Sequence, residues 1–276
     1  MSGTHELRFE SPSFYQRLRG MLGVDFYRLF HTPVYYIFLA IAAIIPAMVL
    51  GTTSMENPQT GVATALYTNT WQIIAADTPL YVVNSIAEYA NMNMVFIFGG
   101  IMVSIFIGHD YKSGYVKQLF TTHAKKQDYM MSKTIVGAFS MACMCITYLT
   151  GAVFAGILSG TSFSCSIGSL ICAIVGKMIM SLGWASLYTF LNIIFRRFFG
   201  IFIASSFFFG TGIIIIGVAA VVGNSSILNF FLYGSSVYAC LSGNIVTVLV
   251  CLLVSVAWAV IYNVLGTWIL SKSDVY

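Results

Sequence analysis

The chain has 276 residues, of which 58% are hydrophobic and only 8% charged, with a mean hydropathy of +0.86 and a formal net charge of +4. A soluble domain carries roughly a quarter charged residues, so too few are present here to clothe a water-facing surface, whereas apolar blocks of about 20 residues suit a bilayer core. The basic residues form no cluster interleaved with aromatics, which sets nucleic-acid binding aside.

Met1 to Tyr15 is polar, contains Glu6 and Glu10, and lacks the basic stretch, apolar run and small-residue cleavage site of a signal peptide. The first span should therefore be retained. Phe14, Leu18, Met21, Leu22, Phe26 and Leu29 then recur at helical spacing with Arg17 and Arg28 beside the stripe. That pattern predicts an interfacial helix whose basic residues lie near lipid phosphates. Asp25 interrupts the stripe and is placed to pair with Arg28 at i,i+3. Pro33 bends the chain into the bilayer.

Six apolar blocks follow: Val34 to Gly51, Ala87 to Ile107, Thr134 to Leu158, Ile167 to Phe195, Phe198 to Val222, and Asn244 to Leu270. They are too long and too unalternating for barrel strands, and a lipid-exposed loop would leave peptide groups unsatisfied. The predicted fold is all-α, a single transmembrane domain over residues 1–276. It comprises a cytoplasmic N-terminus (1–33), a six-helix bundle (34–270) and a cytoplasmic tail (271–276). The segment Thr52 to Ile86 carries the breakers Pro58, Gly61 and Pro79, the interface anchors Trp71 and Tyr81, and only acidic charges, Glu56 and Asp77. Of thirteen Lys and Arg, twelve flank the spans on one side and the thirteenth, Lys177, lies within a block. By the positive-inside rule both termini face the cytoplasm, in a multi-pass protein of the cell membrane.

The stretch Gly108 to Lys133 is the longest basic loop. Asp110 stands at the membrane exit and Gly114 four residues on. A short amphipathic helix with Val116, Leu119 and Phe120 is expected next, then the basic turn Lys125-Lys126 and a second short helix ending in Lys133. Two short helices projecting from the bundle would suit docking to a cytoplasmic partner. A bland alternative is a charged turn that holds topology and meets anionic lipid.

The order Asp110, Ser113-Gly114, Lys117, Lys125-Lys126, Lys133 resembles that in export-type permease subunits of ATP-binding-cassette transporters. Permeases of that family have an interfacial helix, six spans and a coupling helix between spans two and three, and the resemblance extends from Arg17 to Leu270. The motif is degenerate, and the family more often has Glu where Asp110 stands. The resemblance implies that Asp110, Ser113, Gly114, Lys117, Leu119, Phe120, Lys125, Lys126 and Lys133 form a partner-binding coupling loop. It also implies a separate ATPase subunit carrying ATP and Mg, a second identical or homologous permease copy, surrounding membrane lipids as partners, and no cofactor on this chain.

The residues agree that nucleotide is handled elsewhere. Gly176-Lys177 superficially resembles a phosphate loop, but Ile171 stands where its first Gly belongs and Met178 follows the Lys. His5, His31, His109 and His123 all lie in predicted cytoplasmic segments, with no His-Glu-x-x-His and no Asp pair in facing spans, so an intramembrane enzyme is not expected. The expected function is a membrane-spanning permease subunit of an ATP-driven exporter. The alternative, an ion channel or ion-coupled carrier, needs several buried ionisable groups or a broken helix, and only Lys177 qualifies. About ten residues into its span, Lys177 either faces a substrate pathway or bonds to neighbouring spans and snorkels. Cys143, Cys145, Cys172 and Cys251 read as small hydrophobes, and Cys143-Met-Cys145 lacks the further ligands of a zinc site. Cys165 and Cys240 fall near the outer surface, where they could pair. Gly156 and Gly160 form a Gly-x-x-x-Gly pattern for close helix approach.

Overall fold

The structure is a computed structural model that describes residues 12–53, 93–121, 124–159, 167–195, 230–232, 234–236 and 245–272. Its principal helices are α1 (Phe14–Phe30), α2 (Pro33–Thr53), α3 (Asn93–Lys112), α4 (Tyr115–Thr121), α5 (Lys126–Ser159), α6 (Ile167–Ile194) and α7 (Ile245–Lys272). Among the described residues there is no strand. Four segments are long and apolar enough to cross a membrane: Val95–Lys112, Lys126–Leu158, Leu170–Ile194 and Val248–Lys272. The bent pair α1 and α2 makes a fifth if it counts as one span. Such a set of helices is that of a helical membrane protein. The expected block Phe198 to Val222 lies outside the described residues, as do Cys165, Cys240, Gly160 and most of the segment after the first block.

Local chemistry sets the boundaries. Ser13 opens α1 with a capping box: its hydroxyl accepts from the Gln16 N–H and its own N–H donates to Gln16 Oε1 at 2.9 Å. Thr32 Oγ1 donates to the Arg28 carbonyl at 2.7 Å where α1 ends. Pro33 follows as the first residue of α2, where its missing N–H has no intrahelical partner to lose, and the two helices meet at 66°.

The loop region differs from expectation in one respect. The second short helix predicted before Lys133 is not separate, because Lys126 to Ser159 forms one continuous helix. No Gly or Pro stands between Lys126 and Thr134, and Tyr129 and Met130 pack with Val116, Ile193 and Leu270 in a small second core. The first two turns of α5 are thus held by protein contacts, and only α4 projects as a short helix.

The most extensive packing joins α6 to α7, α2 to α5 and α5 to α6. Apolar side chains gain little from leaving lipid for one another, so small residues and polar contacts carry much of the adhesion. Ser255 of α7 donates to the Ile179 carbonyl at 2.7 Å and accepts from the Gly183 N–H at 2.9 Å. Asn192 of α6 donates to Ser104 of α3 at 3.1 Å, and Thr134 of α5 donates to Asn263 of α7 at the same distance. A side chain on Gly151 would run into the Ala43 backbone, so α2 and α5 cross closely there. Cys143, Cys145, Cys172 and Cys251 are free thiols within helices.

Candidate functional site

Where α1 crosses the start of α5, four charged side chains come together from three helices. Lys133 of α5 places its ammonium 2.6 Å from Asp25 Oδ1 of α1 and 2.6 Å from Asp110 Oδ2 in the last turn of α3. Arg28 of α1 forms an ion pair with Asp110 Oδ1 and lies 3.7 Å from Asp25 Oδ1. The remaining carboxylate capacity is filled by hydroxyls: Ser132 donates to Asp25 Oδ2 at 2.7 Å and Tyr129 to Asp110 Oδ2 at 3.3 Å. Asp25, Asp110 and Lys133 are buried, while Arg28 keeps 23% of its side chain exposed.

Aromatic rings close the cluster. The Lys133 ammonium lies 4.6 Å from the centre of the Phe106 ring and 5.3 Å from that of Tyr129, and the Arg28 guanidinium stands 4.4 Å from that of Tyr115. Such faces attract cations and exclude water, which strengthens each charge contact. Burial pushes the Tyr115 phenol above its ordinary value, and the nearby Asp25 carboxylate adds to the shift. A neighbouring pair, Arg17 with buried Asp128 at 2.8 Å, fastens the first turn of α1 to that of α5.

The two acids and two bases compensate one another. Removing ions from water is costly unless each is paired and hydrogen-bonded, and here all four carboxylate oxygens of Asp25 and Asp110 have partners. Among the described residues no group of three or more His, Cys, Asp or Glu is arranged to hold a metal ion. The arrangement is a joint between α1, α3 and α5.

The sequence-predicted loop residues divide by direction. Asp110 and Lys133 point inward and root the loop. Ser113 and Gly114 make the turn between α3 and α4, with Gly114 at φ +73°. Leu119 and Phe120 are half-buried against the start of α5, Phe120 meeting the Tyr129 ring edge-on at 5.7 Å. Lys126 donates to the Leu270 carbonyl at 2.7 Å, tying α5 to the end of α7. Lys117 and Lys125 remain exposed. Lys177 is elsewhere: Ile193 packs at the loop end, and sixteen residues earlier along α6 is about 24 Å away. Its side chain is fully buried, with the ammonium 5.7 Å from the centre of the Phe96 ring.

Sequence reasoning anticipated the Asp25–Arg28 proximity and missed the rest of the joint. Arg28 turns to Asp110 instead of lipid phosphate, and Arg17 turns to Asp128. The signal that was present is Asp25 itself: an acid on an apolar stripe needs a protein partner, since headgroup phosphates repel it. Compared with known protein families and with curated proteins, the chain matches none significantly.

Proposed function

We propose that the chain is the membrane-spanning permease subunit of an ATP-driven exporter, forming the substrate pathway and coupled to a separate ATPase subunit. The observation that carries this reading is the hanging of α4 between two candidate spans. Its outward side offers Lys117 and Gln118, while its roots, Asp110 and Lys133, are ion-paired to α1 and α5. A partner that moves α4 therefore pulls on α1, α3 and α5 together. Closure of ATPase subunits on ATP would bias the bundle between two states through that joint. In this reading α1 is the interfacial helix, α4 the coupling helix, six spans cross the cell membrane and both termini are cytoplasmic. ATP and Mg reside on the partner, a second permease copy completes the pathway, and Lys177 meets an anionic part of the cargo.

Mild-detergent isolation of the full chain from its own membrane tests the reading. An ATP-binding subunit with ATPase activity should copurify, and Lys117→Glu should lower its recovery severalfold while leaving insertion and folding intact. Isolation without any ATPase, together with ion currents from the chain alone in planar bilayers, would favour the channel or carrier alternative instead.

A further inference from the structure

Between α5 and α7 lies a cavity of about 590 Å³, with Leu182 of α6 also in its wall. On α7 the lining residues form two rows at four-residue spacing, the outer one being Val256, Val260, Val264 and Trp268, all exposed. From Val256 to Ser271 is fifteen residues, about 22 Å along the helix. Half of a bilayer's hydrocarbon core is about 15 Å, so the groove is long enough for one acyl chain and the region that joins it to its headgroup. The polar pair inside the groove is satisfied within the protein, Thr134 donating to Asn263 Oδ1 at 3.1 Å and Asn263 Nδ2 to the Ala259 carbonyl at 2.8 Å. A hydrocarbon occupant therefore leaves that pair's hydrogen bonds intact.

The mouth of the groove is different. Lys126 gives N–H groups to the Leu270 carbonyl at 2.7 Å and, more weakly, to the Ser271 carbonyl at 3.5 Å, and an ammonium has three. Lys272 holds its ammonium 4.1 Å from the centre of the Trp268 ring. Neither lysine has a carboxylate partner among the described residues, and the nearby acid, Asp128, is buried against Arg17 at 2.8 Å. Two cations and an interfacial Trp above an apolar channel complement an amphiphile with a negative head. We infer that this groove binds a membrane phospholipid with an anionic headgroup, its acyl chain along α7 and its phosphate between Lys126 and Lys272. The site is independent of any transport role.

Native mass spectrometry of the delipidated full chain, titrated with phosphatidylglycerol or phosphatidylcholine, tests the assignment. One phosphatidylglycerol should bind about tenfold more tightly than phosphatidylcholine, the scale expected of two lysines near a lipid phosphate. Lys272→Gln should reduce that preference by about threefold, with phosphatidylcholine binding weakened less than phosphatidylglycerol binding. Lys126→Gln/Lys272→Gln should abolish it, and the single variant keeps the test decisive if loss of the Lys126 bond to α7 impairs folding. Val260→Trp, which fills the groove, should weaken both lipids. Equal binding of the two lipids, a preference undiminished in Lys272→Gln, or displacement by millimolar inorganic phosphate would overturn the proposal. So would a Val260→Trp variant that alters only the oligomeric state, because the face would then be an interface between copies.

Discussion

Lys133 neutralises two buried carboxylates at once, so its loss should be felt well beyond one hydrogen bond. In Lys133→Met, Asp25 and Asp110 are left sharing Arg28 in a site closed by Phe106 and Tyr129. Breaking a buried pair from one side typically costs about 3–5 kcal/mol, because the remaining charge stays unpaired. Denaturant unfolding in detergent should show a loss of that order for Lys133→Met. The double variant Asp25→Asn/Lys133→Met should recover part of it, and additive losses would show that the pair is uncoupled. Tyr115 gives a pH-dependent handle on the same site. Its phenol is raised in the folded protein by burial and by Asp25, whereas in the unfolded chain it ionises near pH 10. The folded state thus holds its proton longer, and the resulting stability is present in full below about pH 10 and lost as pH rises through the raised folded value. Across about pH 9 to 12, wild type should lose stability more steeply than Tyr115→Phe in matched unfolding titrations.

At the scale of elements, the turn between α3 and α4 rests on Gly114. Its φ of +73° is left-handed, and a side chain there would meet nothing within 4 Å. The residue is needed for its backbone conformation and not for space. Gly114→Val should therefore cost about 1–2 kcal/mol, and Gly114→Asn less, since Asn tolerates this region better. A thermal melt placing Val and Asn variants at the same midpoint would refute the conformational account. Helix positions themselves were largely legible: the block Ile167 to Phe195 became Ile167–Ile194, and Asn244 to Leu270 became Ile245–Lys272. Apolar length is a local property and survives folding. The polar start of α5 was not legible as a continuation of its span. Residues Lys126 to Lys133 read as a surface segment until their burial against α1, α4 and α7 is known.

At the scale of the molecule, charge asymmetry and packing meet at one end of the bundle. Arg17, Arg28, Lys126 and Lys133 are joined there to Asp128, Asp110, the Leu270 carbonyl and Asp25, respectively. With no Lys or Arg expected on the other side, that end should face the cytoplasm. Thiol labelling of single-cysteine variants in intact cells should leave both termini and Lys125 protected, and should modify positions Gln59 and Asn224. Labelling of position 125 from outside would reverse the orientation. From the sequence alone came the membrane class, the apolar helices among the described residues and the loop with its glycine turn, because hydropathy, periodicity and backbone preference act over neighbouring residues. Tertiary structure decided which charges are contacts and which are surface. Asp25 and Lys133 are 108 positions apart, Arg28 and Asp110 82, and Arg17 and Asp128 111. A single sequence carries no record of which helix faces meet, and in a low-dielectric interior that meeting determines whether an ionised group is stabilised or excluded.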